Sequence, residues 1–380
     1  MTAVGAPAVV PWRGPDGAEL RPDTPYTLTD GDRRWPVVAG IPWLRPDREA
    51  LRERAVAALD DADPDTAAVV LLADADDWWD AAPPPPARLR AALRARTLTD
   101  AVDLLALGRV GTYFRHRWSD PSWLAALALT AAHPPGARPV VDLACGTGHL
   151  LRHLVLHGHT DATGVDVVYA KLWLARRFVL PPTVPVALVC ADLTAGWPLP
   201  PGGGARHVAC HDALYFLPDK AAFVAAALAA AGPGGALLLG HLHNAEHPAG
   251  QAGISLDPAG WTALLPDSVA YAEEELTAAT VAGRAPAPAS AAELAATEAL
   301  GLARDAAVAR FEPALLLPPP GNPLRRNPLY GDDGRRRWPD ERWAGEYGAR
   351  ADAYLPPRWP EVPGPDAVRR RLLLDLPERW

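Results

Sequence analysis

Residues 140–151, VVDLACGTGHLL, constrain the fold of this chain more than any other stretch. Two β-branched residues run into Asp142, a short Ala-Cys-Gly-Thr-Gly turn follows, and Leu150 and Leu151 open an apolar pattern of helical spacing. The order predicts a buried strand, a glycine turn and a helix start. Gly146 and Gly148 admit backbone angles closed to other residues, and without side chains they let a ligand approach the main chain. The helix that follows turns free N–H groups and the positive end of its dipole toward the same point. Asp142, at the strand end, is placed to accept from an ammonium group or its bound water. A ligand with an amino-acid end and a nucleoside end suits such a turn.

Beyond it the pattern alternates. Strands are expected at Ala162–Val165, ending at Asp166, at Val184–Cys190, ending at Ala191-Asp192-Leu193, at Ala205–Cys210, ending at His211-Asp212, and at Ala236–Leu242. Helices are expected at Lys171–Phe178, stopped by Pro181-Pro182, and at Ala221–Ala231. Strand–helix alternation predicts a parallel sheet with helices on both faces. Farther on, Asp257–Leu265 reads as a helix. Val269–Val281 and Ala306–Phe311 are weaker strand candidates, with a helix at Ala291–Leu302 between them. No internal repeat is evident.

D-L-A-C-G-T-G after a strand, an acid closing the next strand and Ala-Asp-Leu closing the third resemble the class I S-adenosylmethionine-dependent methyltransferases. The likeness covers about residues 138–245. It implies an α/β, Rossmann-like three-layer sandwich with a mostly parallel seven-stranded sheet, and S-adenosyl-L-methionine as cofactor. It also implies that Asp142, Ala144, Gly146 and Gly148 cradle the methionine part. Asp166 would accept from the ribose hydroxyls and Val167 would border the adenine. Asp192 would take the adenine amino group, with Leu193 on the ring face, and His211 would sit near the sulfonium. The rival is a dinucleotide fold, where an acid about 20 residues past a glycine turn holds a ribose. Its G-x-G-x-x-G fingerprint is not met, because Ala144 leads and Leu151 stands where the last glycine belongs. That fold also leaves Asp142 and Asp192 without a purpose.

Methyl transfer from a sulfonium is an in-line displacement, so the chain must orient an acceptor and exclude water. A hydroxyl or ammonium acceptor also needs a base, and histidine matches neutral pH. His211, Tyr215, His241 and His243 fall on the strand-end rim. Of these, His211 is the first candidate for the base, and Tyr215 for shaping the acceptor pocket. His241-x-His243, with Glu246 and His247 close by, raises the question of a metal. An extended strand puts His241 and His243 on one face without a closing ligand set, so none is expected. His149, His153 and His157 form one helix face and read as packing.

The flanks are less legible. The run WPVVAGIPWLRP resembles the closing strands of the small zinc-ribbon domain that fronts or activates several methyltransferases, but the paired cysteines of that domain do not occur here. Tyr26–Leu28 and Trp35–Val38 read as strands around an Asp30-Gly31 turn, Asp47–Asp63 as a helix, and Pro64–Trp79 as an apolar run mixed with acids. Pro83–Pro86 is a stiff spacer. The segment GTYFRHRWSDPSW lies in a helical region just before the key strand, so Tyr113, Arg115 and Trp118 are candidates to cover the cofactor or grip its carboxylate. Past Glu312 the chain is rich in Pro, Arg and Trp, with periodicity only at Asp366–Leu374. An ordered wrap is expected there. The resulting division is 1–86 as a small β/helical unit, 87–137 as a helical lid, 138–312 as the cofactor-binding core and 313–380 as the wrap.

Composition narrows the partners. Of 380 residues 49% are hydrophobic and 22% charged, which is globular. The net charge of −8 disfavours a general polyanion binder. Arg325-Arg326, Arg335–Arg337 and Arg369–Arg371 lie among aromatic residues and leave a local RNA-binding patch open. Three dispersed cysteines make neither a disulfide framework nor a CxxC site. With no secretory signal pattern and no unbroken apolar span, a cytoplasmic protein without membrane attachment is expected. The expected activity is O- or N-methylation of a small-molecule acceptor, possible in secondary metabolism. RNA methylation is the alternative, and a cofactor-binding partner protein without catalysis is a third class. The acceptor and the oligomeric state are not legible in the residues.

Overall fold

The structure is a computed structural model that describes residues 11–74, 82–200, 204–247, 253–306 and 310–380. The readings placed on 75–79 and 307–309 therefore lie partly outside the described residues. The chain forms two compact units. The first holds Met1–Arg115, Val140–Gly202 and Pro377–Trp380, and the second holds His116–Pro139 and Gly203–Leu376.

Seven strands build the first unit: β1 (Arg21–Thr24), β2 (Thr27–Thr29), β3 (Arg34–Val38), β4 (Ile41–Leu44), β5 (Val140–Leu143), β6 (Ala162–Asp166) and β7 (Ala187–Ala191). They lie in the order β1-β2-β3-β4-β7-β6-β5. The first four pair antiparallel as a meander. β4 then joins β7 in parallel, with Trp43 opposite Cys190 and Leu44 opposite Ala191. Thus the segment resembling a zinc-ribbon's closing strands extends the nucleotide-binding sheet itself. β7, β6 and β5 are mutually parallel. Their apolar residues are buried, as in strands covered on both faces: Val140, Leu143, Val165 and Val189 are all buried. Pro64–Leu72, read only as an apolar run with acids, is a helix. Asp63 caps it by accepting from Thr66 N at 2.9 Å, and Pro64 begins it. Such a cap contributes about 1 kcal/mol.

The second unit has β8 (His207–His211), β9 (Ala236–His243), β10 (Val269–Ala272) and β11 (Ala299–Asp305), in the order β8-β9-β11-β10. β8 and β9 are parallel; β11 runs antiparallel to β9, and β10 antiparallel to β11. The parallel strands within each unit fit the α/β, Rossmann-like reading, and the strand count departs from the expected seven, with β1–β4 additional. The helix Lys220–Ala231 begins at an Asp219 cap and ends at Gly232.

Two local expectations are corrected. The strand expected over Val269–Val281 stops at Ala272, where Glu273, Glu274 and Glu275 open the helix Glu273–Ala282; three acids in a first turn suit the helix dipole. The helix expected to run to Leu302 ends at Ala296, and Ala299–Asp305 is β11. An alanine- and leucine-rich run carries no period that separates the two, so pairing with β9 and β10 decides. The strand expected at Ala306–Phe311 falls partly outside the described residues; β11 ends at Asp305. The Asp366–Leu374 periodicity gives turns with only Leu373–Leu374 extended, because Arg371 takes a left-handed φ of 56°. The C-terminal segment is nonetheless ordered within the second unit. Leu329, Tyr330, Tyr354, Leu355, Ala367 and Leu372 pack with Leu124, and Tyr354 Oη donates to Ser119 O at 2.8 Å.

Candidate functional site

In the first unit Asp142, 4% exposed, is the penultimate residue of β5, and past Leu143 the chain turns through three left-handed residues, Ala144 (φ 54°), Gly146 (55°) and Gly148 (77°). Gly148 is the N-cap of the helix His149–Leu156. Asp166, at the end of β6, fixes this turn: its Oδ2 accepts from Gly146 N at 2.8 Å and its Oδ1 from Val168 N at 2.9 Å. Lys171 Nζ lies 3.6 Å from Oδ1. A carboxylate has further lone pairs, so this clamp leaves acceptor capacity for a ribose hydroxyl. Val167 is half-buried, its carbonyl accepting from Arg45 Nη1 at 3.0 Å. Asp192, just past β7, holds Thr194 N at 2.8 Å and Thr194 Oγ1 at 2.7 Å, with Leu193 half-buried beside it.

Phe114 covers the turn. A Cβ on Gly146 would lie 2.8 Å from its Cε1, so only glycine lets the ring come this close. Its carbonyl accepts from His149 Nε2 at 3.1 Å, and Lys171 Nζ stands 5.9 Å from the ring centre. Of the residues expected to form the cover, Tyr113 stands edge-on to Phe114 at 5.2 Å and Arg115 pairs with Asp103. Trp118 is buried, within the second unit. The residue over the turn is thus the neighbour of those chosen. Its only sequence signal was its place in GTYFRHRWSDPSW.

The second unit gathers a different set at the carboxyl ends of β8 and β9. His211 ends β8 against Gly240, where a Cβ would fall 2.1 Å from its Nδ1. Burial and the Arg117 guanidinium push the His211 imidazole down to about 3, which keeps it neutral. Tyr215 Oη donates to Asp212 Oδ1 at 2.5 Å, and Arg117 Nη1 lies 3.5 Å from Asp212 Oδ2. His241 is 4% exposed and donates from Nδ1 to Glu273 Oε2 at 2.5 Å, while its Nε2 stands 3.6 Å from Asp212 Oδ1. Burial opposes charge on His241, but the Glu273 and Asp212 carboxylates outweigh it and raise its pKa. Burial likewise opposes charge on Glu273, but His241 and Arg350, the latter at 2.6 Å from Oε1, bring it down to about 2. Burial and then His241 push His243 down to about 4. Asp212 and Glu273 were missed in the sequence. Asp212 was legible as the residue following β8, whereas Glu273 was hidden by the strand expected across it.

A helix N-terminus behind a glycine turn, with carboxylates closing three adjacent parallel strands, makes the first unit a Rossmann-like nucleotide-binding fold. Residues 140–235 match the family model of a methyltransferase domain. The match covers that segment alone, which carries the acidic donor set and glycine turn described above. No curated protein matches the chain. Among solved structures, it is similar to an S-adenosylmethionine-dependent methyltransferase of Mesorhizobium loti, at 26% identity over 33% of this chain and 56% of that one, with a TM-score of 0.30. It is also similar to the sugar N-methyltransferase KedS8 of Streptoalloteichus, at 28% identity over 33% and 51%, with a TM-score of 0.26. A structure of the Haloferax volcanii Trm112 methyltransferase activator in complex with a methyltransferase matches at 18% identity over 56% and 99%, with a TM-score of 0.38. The chain thus spans only about half the length of the Mesorhizobium and Streptoalloteichus proteins.

Proposed function

We propose that the protein is an S-adenosylmethionine-dependent methyltransferase acting on a small molecule at oxygen or nitrogen. In this reading Asp142 takes the methionine ammonium, Asp166 the ribose and Asp192 with Leu193 the adenine, and the Gly146–Gly148 turn lets the methionine part lie against the main chain. Phe114 shields that turn from water. The observation that carries the choice of a small acceptor over RNA is the fate of the arginines. Arg336 is half-buried and pairs with Asp352, and Arg371 is 1% exposed. Cations already committed to carboxylates and the interior are poor phosphate ligands, since phosphate binding depends on accessible positive charge.

The test offers the purified protein methyl-labelled S-adenosylmethionine with a fractionated small-molecule extract and, separately, with total RNA at low salt. Label appearing in a small-molecule fraction supports the reading. Label in RNA, with binding that falls steeply as salt rises, would replace it.

A further inference from the structure

We propose that Asp212, His241 and His243 form a binding site for one divalent first-row transition ion, of which zinc is the type. The ligand atoms of these three residues all lie within 4.8 Å of one another. Tetrahedral bonds of about 2.0–2.2 Å set neighbouring ligand atoms roughly 3.3–3.6 Å apart, and His241 Nε2 already stands 3.6 Å from Asp212 Oδ1. Nitrogen and carboxylate donors in a two-histidine, one-carboxylate set suit such ions and leave coordination positions for water or a ligand.

A second, independent observation points to the same atom. His241 Nε2 is buried and has no hydrogen-bond partner, so it faces the cluster unsatisfied. Its other nitrogen is held by Glu273, a carboxylate itself locked by Arg350. This carboxylate–histidine arrangement fixes the ring and directs Nε2 to a metal, as supporting carboxylates do for ligating histidines. A bulge in β9 creates the geometry: Leu242 faces Leu300 and Leu239 faces Leu302, leaving Gly240 and His241 opposite the single Gly301. His241, within the bulge, takes a φ of 54°, and Asp212, just past β8, one of 60°. Arg117 Nη1 stands 3.5 Å from Oδ2 of Asp212 and also bonds Asp120 and Ser122. The Tyr215 hydroxyl on Oδ1 is the contact an ion would share or displace. Strand alternation alone offers only two ligands; the third comes from the end of β8.

The test titrates the chelator-treated full-length protein with Zn(II) by calorimetry and with Co(II) by visible absorption. One equivalent of Zn(II) and Co(II) bands of a low-symmetry nitrogen–oxygen site are expected. H243A, in which only a half-buried ring is removed, should lose at least tenfold in affinity, and E273Q about 10–100-fold. S-adenosylmethionine affinity should stay unchanged in H243A, which separates loss of the metal from failure of the methyltransferase reading. No stoichiometric binding in the wild type, or equal Zn(II) affinity in H243A and the wild type, would overturn the proposal. If H241A does not fold, H243A and D212N carry the comparison.

Discussion

Replacing Gly146 with alanine probes the turn and its cover together. The residue sits at φ 55°, and an added Cβ would lie 2.8 Å from Phe114 Cε1 and 3.2 Å from Cζ. Left-handed backbone costs a residue with a Cβ about 1–2 kcal/mol, and forcing an extra methyl into a packed site costs a further ~1–3 kcal/mol. Gly146→Ala should therefore lose about 2–5 kcal/mol in denaturant unfolding. Phe114→Leu removes the ring edge that the methyl meets, so in that background the same substitution should cost only the backbone share, ~1–2 kcal/mol. The coupling between the two sites would then be about 1–3 kcal/mol, within the range for residues in contact. Urea midpoints of the four proteins give this cycle directly, provided the slopes agree. Additive effects would refute the placement of Phe114 on the turn. A neutral Gly146→Ala would refute the turn itself.

Other substitutions test neighbouring parts of the account. Asp305 is held by Arg138 through two bonds of 2.7 and 3.1 Å with its side chain 2% exposed. Arg138→Met should therefore destabilise by roughly 3–5 kcal/mol, the cost of removing one partner of a buried ion pair; a loss under about 1 kcal/mol would mean the carboxylate is solvated. Burial of Asp74, outweighing Arg45 and Arg48, raises its carboxyl to about 6. The folded state thus holds this proton more tightly than the unfolded chain. The resulting stability is complete below about pH 4 and is lost as pH rises through about 6, by ~2–3 kcal/mol. Asp74→Asn should flatten that part of the stability profile, and an unchanged profile would count against the burial argument.

The glycine turn and strand-end carboxylates of the first unit were legible because their placement is local. Asp142, Gly146 and Gly148 lie within seven residues, and Asp166 and Asp192 each follow a strand of clear apolar pattern. The cover and the histidine cluster were less legible because they depend on where distant segments meet. Phe114 is one of several aromatics in its segment, and only packing selects it. Glu273 looked like part of a strand, and it reaches His241 only because the chain turns into a helix at that point. The bulge that aims His241 arises from pairing between β9 and β11, which no periodicity records.

The most direct test of the central claim is calorimetric titration of S-adenosylmethionine into the wild type and Asp142→Asn, with NAD as the comparison ligand. The account predicts one site for S-adenosylmethionine in the wild type and no binding of NAD. It predicts a loss of about 10–150-fold in Asp142→Asn, the equivalent of a charge-assisted hydrogen bond of ~1.5–3 kcal/mol. Equal affinity in the variant, or binding of NAD in preference, would contradict it.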